Sequence, residues 1–283
     1  MTQITTVGIA GAGVMGSGIA LCAAKAGYKT LLFDTGTAAL ERGLSYIRAD
    51  LDKAVAKGKL TAAEKEQALL LIQPCTSAEQ LQADLIIEAI VEQLPVKRVL
   101  FETLCAHNAT TTILASNTSS IPITQIASAV SNPERFVGIH FFNPAQLMKL
   151  VEVIAGAHTS SDTVQTSAAF AASLGKTVVL AKDAPGFIVN RVARHYYVEA
   201  LKILEEQVAN FDQIDRLMEA SGFKMGPFRL MDLIGVDTNY SVTESMFNLF
   251  NQDAKFRPSR IQKQKVDAGL HGRKSGKGFY PYE

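Results

Sequence analysis

The sequence predicts an α/β protein, a doubly wound sheet over residues 1–184 followed by an all-α domain over residues 185–283. Three observations predict it. Short apolar runs alternate with helical spacing from residue 4 to roughly residue 182, and a glycine-rich turn joins the first such run to the first helix. After Asp183-Ala184-Pro185-Gly186 the spacing becomes helical throughout.

The first run, Ile4 to Ala10, reads as a buried strand that leads into Gly11-Ala12-Gly13-Val14-Met15-Gly16, which opens a helix from Ser17 to Ala24. Gly11 makes the tight turn, Gly13 lets backbone approach a pyrophosphate, and Gly16 lets helix pack close on strand. The helix N-terminus turns its N–H groups and partial positive charge toward phosphate. Lys29 to Phe33 forms a second strand ending in Asp34, about twenty residues on, where a carboxylate accepts hydrogen bonds from an adenosine ribose. Strand, turn, helix, strand and acid in this order point to a Rossmann-type site, with Gly11, Gly13, Met15, Gly16 and Asp34 as cofactor contacts. An anion at Asp34 repels a 2′-phosphate, which favours NAD over NADP, although Thr35-Gly36-Thr37 leaves room beside it.

Further on, residues 38 to 59 form a long helix carrying Arg48, Lys53, Lys57 and Lys59, and residues 61 to 71 form a second, with Thr61 and Glu64 spaced as a capping box. Strands follow at 84–89, 112–116 and 136–140, with a helix at 96–107, so a parallel sheet is expected. Leu150 to Ile154 and Thr177 to Leu180 flank a helix at 162–174 and extend the sheet. Beyond Pro185, the row Ile188, Val192, Tyr196, Ala200 and Leu204, beside Val189, Ala193, Tyr197 and Leu201, makes a wide apolar stripe that needs a partner surface.

Composition narrows the function classes. Lysine plus arginine number 28 against 27 acidic residues, so no global field points to nucleic acid. No apolar run approaches the ~18 residues of a membrane span, and the first strand starts too early for a signal segment, so a cytoplasmic protein is expected. Cys22, Cys75 and Cys105 are odd in number and far apart, and read as small core residues rather than a disulfide framework or metal site.

Four segments place polar groups at strand ends and turns, where ligands bind parallel sheets. They are Ser116-Asn117-Thr118-Ser119-Ser120, His140-Phe141-Phe142-Asn143-Pro144, Glu152 within Lys149 to Val153, and Pro185-Gly186-Phe187-Ile188-Val189-Asn190-Arg191. Together with the glycine turn they resemble the 3-hydroxyacyl-CoA dehydrogenase family, including its short-chain 3-hydroxybutyryl-CoA members. The resemblance runs through the whole chain to Gly272-Arg273-Lys274-Ser275-Gly276-Lys277-Gly278-Phe279-Tyr280.

The resemblance implies NAD as cofactor, an acyl-CoA substrate, and a homodimer formed through the C-terminal helices, which also close the acyl pocket. It makes His140 the catalytic base, Glu152 its orienting partner, and Ser119 and Asn190 contacts of the reacting oxygen. An imidazole can take a 3-hydroxyl proton as hydride leaves C3, and a carboxylate on its other nitrogen fixes the tautomer. The resemblance places Glu92, Lys97, Asn117 and Asn143 along the nicotinamide half of the cofactor. It assigns Lys53 and Lys57, at i and i+4, to the coenzyme A phosphates. Plainer roles stay open: Ser119 as a cap for a helix near Ile121, Asn190 at its own helix terminus, Glu92 and Lys97 at an exposed helix start, and the lysines as a solvated face.

Two departures from the family pattern stand out, Gln146-Leu147-Met148 where Pro-Val-Met is common and His195 where proline is common. Gln146 suits a hydrogen bond near the acyl entrance or a turn cap. The stretch Asn190 to Tyr197 looks most like members acting on 3-hydroxyadipyl-CoA in phenylacetate breakdown, with Arg194 or His195 placed to pair with a distal carboxylate. Two readings compete: a β-hydroxyacid dehydrogenase of the sugar-acid type, which relies on a lysine and lacks the His-Phe-Phe-Asn-Pro segment, and a non-catalytic NAD-binding structural protein. Acyl-CoA-dependent NADH oxidation separates them.

Overall fold

A computed structural model describes residues 3–283, and the chain divides into two compact units, Met1–Ala184 and Pro185–Glu283. The first is built on an eight-stranded sheet. Its strands are β1 (Thr6–Ala10), β2 (Lys29–Phe33), β3 (Ile72–Cys75), β4 (Leu85–Glu88), β5 (Ile113–Ser116), β6 (Phe136–Phe141), β7 (Leu150–Ala155) and β8 (Thr177–Lys182), in the order β3-β2-β1-β4-β5-β6-β7-β8. Chain order reverses between β1 and β4, the switch point where a doubly wound sheet opens a crevice.

The first six strands are parallel, but β7 runs antiparallel to β6, and β8 is parallel to β7. The wholly parallel sheet expected from the sequence is therefore corrected at this edge. Only residues 142–149 join β6 to β7, too few for the dozen or more residues of a parallel crossover. The edge strand β3 gave no sequence signal because Gln73 and Pro74 interrupt its apolar pattern. Proline is tolerated at a sheet edge.

Helices α1 (Val14–Lys25), α2 (Thr37–Ala56), α3 (Ala62–Leu70), α4 (Leu94–His107), α5 (Ile123–Ala127) and α6 (Ser161–Ser173) complete this unit. The Thr61–Glu64 capping box forms as read. Helix α2 stops at Ala56, with Lys57 as its C-cap, three residues short of the expected end, because Gly58 takes a positive φ of 65°. Val7, Ile9, Leu85, Ile87, Ile113 and Ile139 fill the core between sheet and helices. Of the cysteines, Cys22 and Cys75 are buried and Cys105 is half-buried.

The second unit contains α7 (Val189–Glu205), α8 (Phe211–Ala220), α9 (Pro227–Ile234), α10 (Val236–Leu249) and α11 (Arg260–Asp267). Tyr197, Leu201, Phe228, Met231, Val236 and Phe279 form its core. The apolar stripe of α7 is buried at Tyr197, Ala200 and Leu201, whereas Ile188 and Val192, at its start, are exposed. Buried Asp232 accepts the Phe279 and Tyr280 amides at 2.9 Å and so holds the chain terminus against α9. No helix among the described residues is long and apolar enough to cross a membrane.

Candidate active site

The glycine turn has the geometry its sequence requires. Gly11 has φ 105°, and a Cβ there would lie 2.6 Å from the Ala89 carbonyl oxygen. A Cβ on Gly16 would fall inside the Gly11 carbonyl, so neither position accepts a side chain. At Gly13 a Cβ would meet nothing within 4 Å, so the turn presents bare backbone to open space. Helix α1 has no side-chain cap and no acid in its first turn, which leaves its dipole and orphan amides for an anion. Met15, half-buried, packs on the sheet core.

Asp34 follows β2. Its Oδ2 accepts the Ala12 amide at 2.9 Å and its Oδ1 the Gly36 amide at 3.1 Å, so the carboxylate also pins the glycine turn. Gly11, Gly13 and Asp34 line a cavity of about 610 Å³, walled on its apolar side by Ile90, Val96 and Leu100. Bare turn, uncapped helix, acid at the rim and apolar wall fit a dinucleotide.

The register Ala10↔Glu88↔Ser116↔Gly138 brings the C-terminal ends of β1, β4 and β5 side by side, next to the middle of β6, which runs on past His140. Lys97 of α4, fully buried, places Nζ 2.5 Å from Glu88 Oε1 and 3.1 Å from Glu92 Oε2. An exposed helix start is thus the wrong description of Lys97, although Glu92 keeps part of its side chain in solvent. Glu92 Oε1 accepts from Thr118 Oγ1 at 2.5 Å and from the Ser119 and Ser120 amides at 3.1 and 3.3 Å. Burial pushes the Glu92 carboxyl up, but the Lys97 charge and the Thr118 hydroxyl outweigh it and hold the group below the usual glutamate range. The sequence reading gave Glu88 no role, and it marked Ser116 and Thr118 only as part of the polar segment after the strand. The signal for Glu88 and Ser116 was a polar terminus on an otherwise apolar strand.

His140 and Glu152 are direct partners across β6 and β7. Both are buried, and His140 Nδ1 donates to Glu152 Oε2 at 2.8 Å, so the basic lone pair resides on Nε2. The Phe142 ring sits 4.5 Å from the imidazole. Asn117 Oδ1 accepts the Phe141 amide at 2.8 Å, tying the β5 end to the histidine strand, and Asn143 is exposed at the cis bond to Pro144.

Ser119 is half-buried in the loop after β5 and is not the cap of α5. Asp183 takes that role, accepting the Ile123 and Thr124 amides at 2.8 Å. Gln146 donates from Nε2 to the Tyr46 hydroxyl at 2.8 Å, which links the loop after His140 to α2. Lys53 and Lys57 are both exposed, but the second caps α2 rather than continuing its face.

In the second unit, Asn190 is half-buried in the first turn of α7. Arg194 is buried, donating to the Asn239 carbonyl and Thr243 Oγ1 at 3.0 Å, and so turns into its own unit. His195 is exposed and stacks on Phe256, with centroids 5.2 Å apart. Among the described residues no group of three or more His, Cys, Asp or Glu side chains is arranged to hold a metal ion.

Residues 6–184 match the NAD binding domain of 3-hydroxyacyl-CoA dehydrogenase and residues 186–282 its C-terminal domain. The chain is 48% identical to a 3-hydroxyadipyl-CoA dehydrogenase of Escherichia coli strain K12, covering 100% of this chain but only 60% of that protein. It is 42% identical to a probable 3-hydroxybutyryl-CoA dehydrogenase of Bacillus subtilis strain 168, with 99% of this chain and 98% of the relative aligned. The crystal structure of (S)-3-hydroxybutyryl-CoA dehydrogenase from Ralstonia eutropha superposes with a TM-score of 0.95 at 40% identity, over 99% of this chain and 100% of that one.

Proposed function

This chain belongs to the 3-hydroxyacyl-CoA dehydrogenase family, and from that premise we propose that it interconverts (S)-3-hydroxyacyl-CoA and 3-oxoacyl-CoA with NAD, on short acyl chains such as 3-hydroxybutyryl. The observation that carries the reading is the buried His140–Glu152 pair at the sheet end. When bound, NAD supplies a two-electron acceptor or donor at C3. Gly11, Gly13, Met15, Gly16 and Asp34 would hold its adenosine and pyrophosphate, and Glu92, Lys97, Asn117 and Asn143 its nicotinamide half.

His140 Nε2 takes the 3-hydroxyl proton as the C3 hydride departs and returns it to the 3-keto oxygen in reverse. Glu152 stabilises the imidazolium formed in between. Ser119 and Asn190 donate hydrogen bonds to the oxygen on which charge grows. Lys53 and Lys57 meet the coenzyme A phosphates as two exposed cations. The helical unit, with Val192, Leu217 and Leu233 exposed, serves as the surface of a homodimer.

The 48% identical Escherichia coli relative favours a second reading, 3-hydroxyadipyl-CoA as substrate. Burial of Arg194 leaves His195 as the candidate for its distal carboxylate. The enzymes among the relatives support either reading over a non-catalytic NAD-binding protein. The test is NADH oxidation with acetoacetyl-CoA and with 3-oxoadipyl-CoA, for wild type and His140→Ala. Turnover lost in the variant supports the proposal, the better substrate identifies the acyl class, and absence of turnover with both overturns it.

A further inference from the structure

We infer that Glu88 is a positioning residue for the reaction, acting from the buried end of β4 on the loop that carries Ser119. The inference rests on the reading of Ser119 as a contact of the reacting oxygen. Two routes lead from the one carboxylate to that loop. Oε1 accepts Lys97 Nζ at 2.5 Å, and the same ammonium reaches Glu92, whose other oxygen receives the Ser119 and Ser120 amides. Oε2 accepts the Ser116 hydroxyl at 2.6 Å, and Ser116 Oγ in turn accepts the Thr118 amide at 3.2 Å. Glu88 also accepts the Ile90 amide at 2.8 Å, which fixes its own rotamer.

Charge balance alone does not explain this arrangement. One lysine faces two carboxylates, so Lys97 would already be neutralised by Glu92, and a second buried anion carries a desolvation cost. What Glu88 adds is direction. It aims the ammonium at Glu92 and orients the Ser116 hydroxyl, so that both supports of the Ser119 loop converge on one fully buried side chain. Glu88→Gln leaves a neutral Lys97–Glu92 pair and no orphan cation, so the fold is expected to survive while the clamp weakens.

The experiment measures Glu88→Gln alone and in a Ser119→Ala background, together with amide hydrogen exchange of the protein without cofactor. If Glu88 acts through Ser119, kcat falls about tenfold in the parent and less than about threefold when Ser119 is already alanine. The Ser119 and Ser120 amides exchange faster, while those of β1 and β2 do not change. An equal fall in both backgrounds, or unchanged exchange in the loop, overturns the inference. Should Glu88→Gln fail to fold, Ser116→Ala severs the second route and is read the same way. If neither acetoacetyl-CoA nor 3-oxoadipyl-CoA supports NADH oxidation by the wild type, the functional reading fails, and the exchange comparison still decides whether Glu88 holds the loop.

Discussion

His140 and Glu152 face each other across an antiparallel pair of strands, 2.8 Å from ring nitrogen to carboxylate oxygen, at the place where the sheet reverses direction. The reversal makes the pair, because opposed residues in an antiparallel ladder point to the same face and lie close enough for direct contact. With His140→Ala, kcat is expected to fall by about 10² to 10⁴, the usual range for a lost general base, with NADH affinity retained. Glu152→Gln keeps the shape and removes the anion, for a fall of about tenfold to a hundredfold. Steady-state kinetics with a parallel NADH fluorescence titration checks both. Normal turnover in His140→Ala would remove it from the chemistry.

Asp34 stands at the cavity rim and pins the glycine turn. Losing a charged acceptor costs about 1.5–3 kcal/mol, so Asp34→Ala should raise KM for NADH about tenfold or more. KM for NADPH should rise much less, because the repulsion of a 2′-phosphate goes with the carboxylate. The ratio of kcat/KM for the two cofactors is the measurement, and an unchanged ratio would place the ribose elsewhere.

Gly16→Ala forces a methyl into the Gly11 carbonyl. Backbone on both sides leaves nothing flexible to yield, so a loss of about 1–3 kcal/mol is expected, with NADH affinity falling in step. Gly13→Ala meets open space and should fold normally while still weakening NADH binding. Thermal unfolding of the two variants with and without NADH separates the effects.

Arg194 is a buried cation without a carboxylate partner among the described residues, and its Nε has no acceptor there. Burial pushes its guanidinium down to about 10. Thr243 already donates to the Asn239 carbonyl, so Arg194→Met orphans neither of these groups and should leave stability unchanged or raise it by about 1–2 kcal/mol. Urea unfolding tests this. A loss above 3 kcal/mol, the scale of breaking a required buried charge, would show that the cation is needed.

Asp84 joins the starts of β1 and β4, its Oδ2 accepting the Thr5 amide and hydroxyl at 2.8 Å and the Thr6 amide at 2.9 Å. Burial raises its carboxyl, but these donors outweigh it and the net shift is downward. A carboxyl depressed in the fold stabilises above its unfolded pKa, about 3.9, and loses that contribution as pH falls through the folded value. Asp84→Asn should therefore cost about 1 kcal/mol near neutrality, a small value because the group is partly exposed. The difference should disappear in acid. Denaturant midpoints across the acid range would show it, and a cost independent of pH would point to packing instead.

Local chemistry made the glycine turn, Asp34 and the Thr61–Glu64 box legible, since each depends on backbone and neighbours within one connection. Glu92, Lys97, Asn117 and Asn143 were legible only as separate polar spots. Lys97 looks solvent-exposed as one charge in a helical stretch, and only the meeting of β4, β5 and α4 buries it against Glu88. The extent of α2 was misread, and the cap of α5 stayed open, for a similar reason. A glycine at positive φ decided the first and Asp183, 60 residues away, decided the second.

By itself the sequence determined the alternation of strand and helix, the phosphate-ready turn with its acid, and which polar residues stand at strand ends, because these follow from periodicity and short-range sterics. Tertiary structure alone decided the direction of β7, the cross-strand geometry of the His140–Glu152 pair that the family resemblance implied, the inward turn of Arg194 and the clamp on the Ser119 loop. Each of these brings together groups distant in the chain, and the desolvation that gives such contacts their strength exists only once the sheet and helices have closed around them.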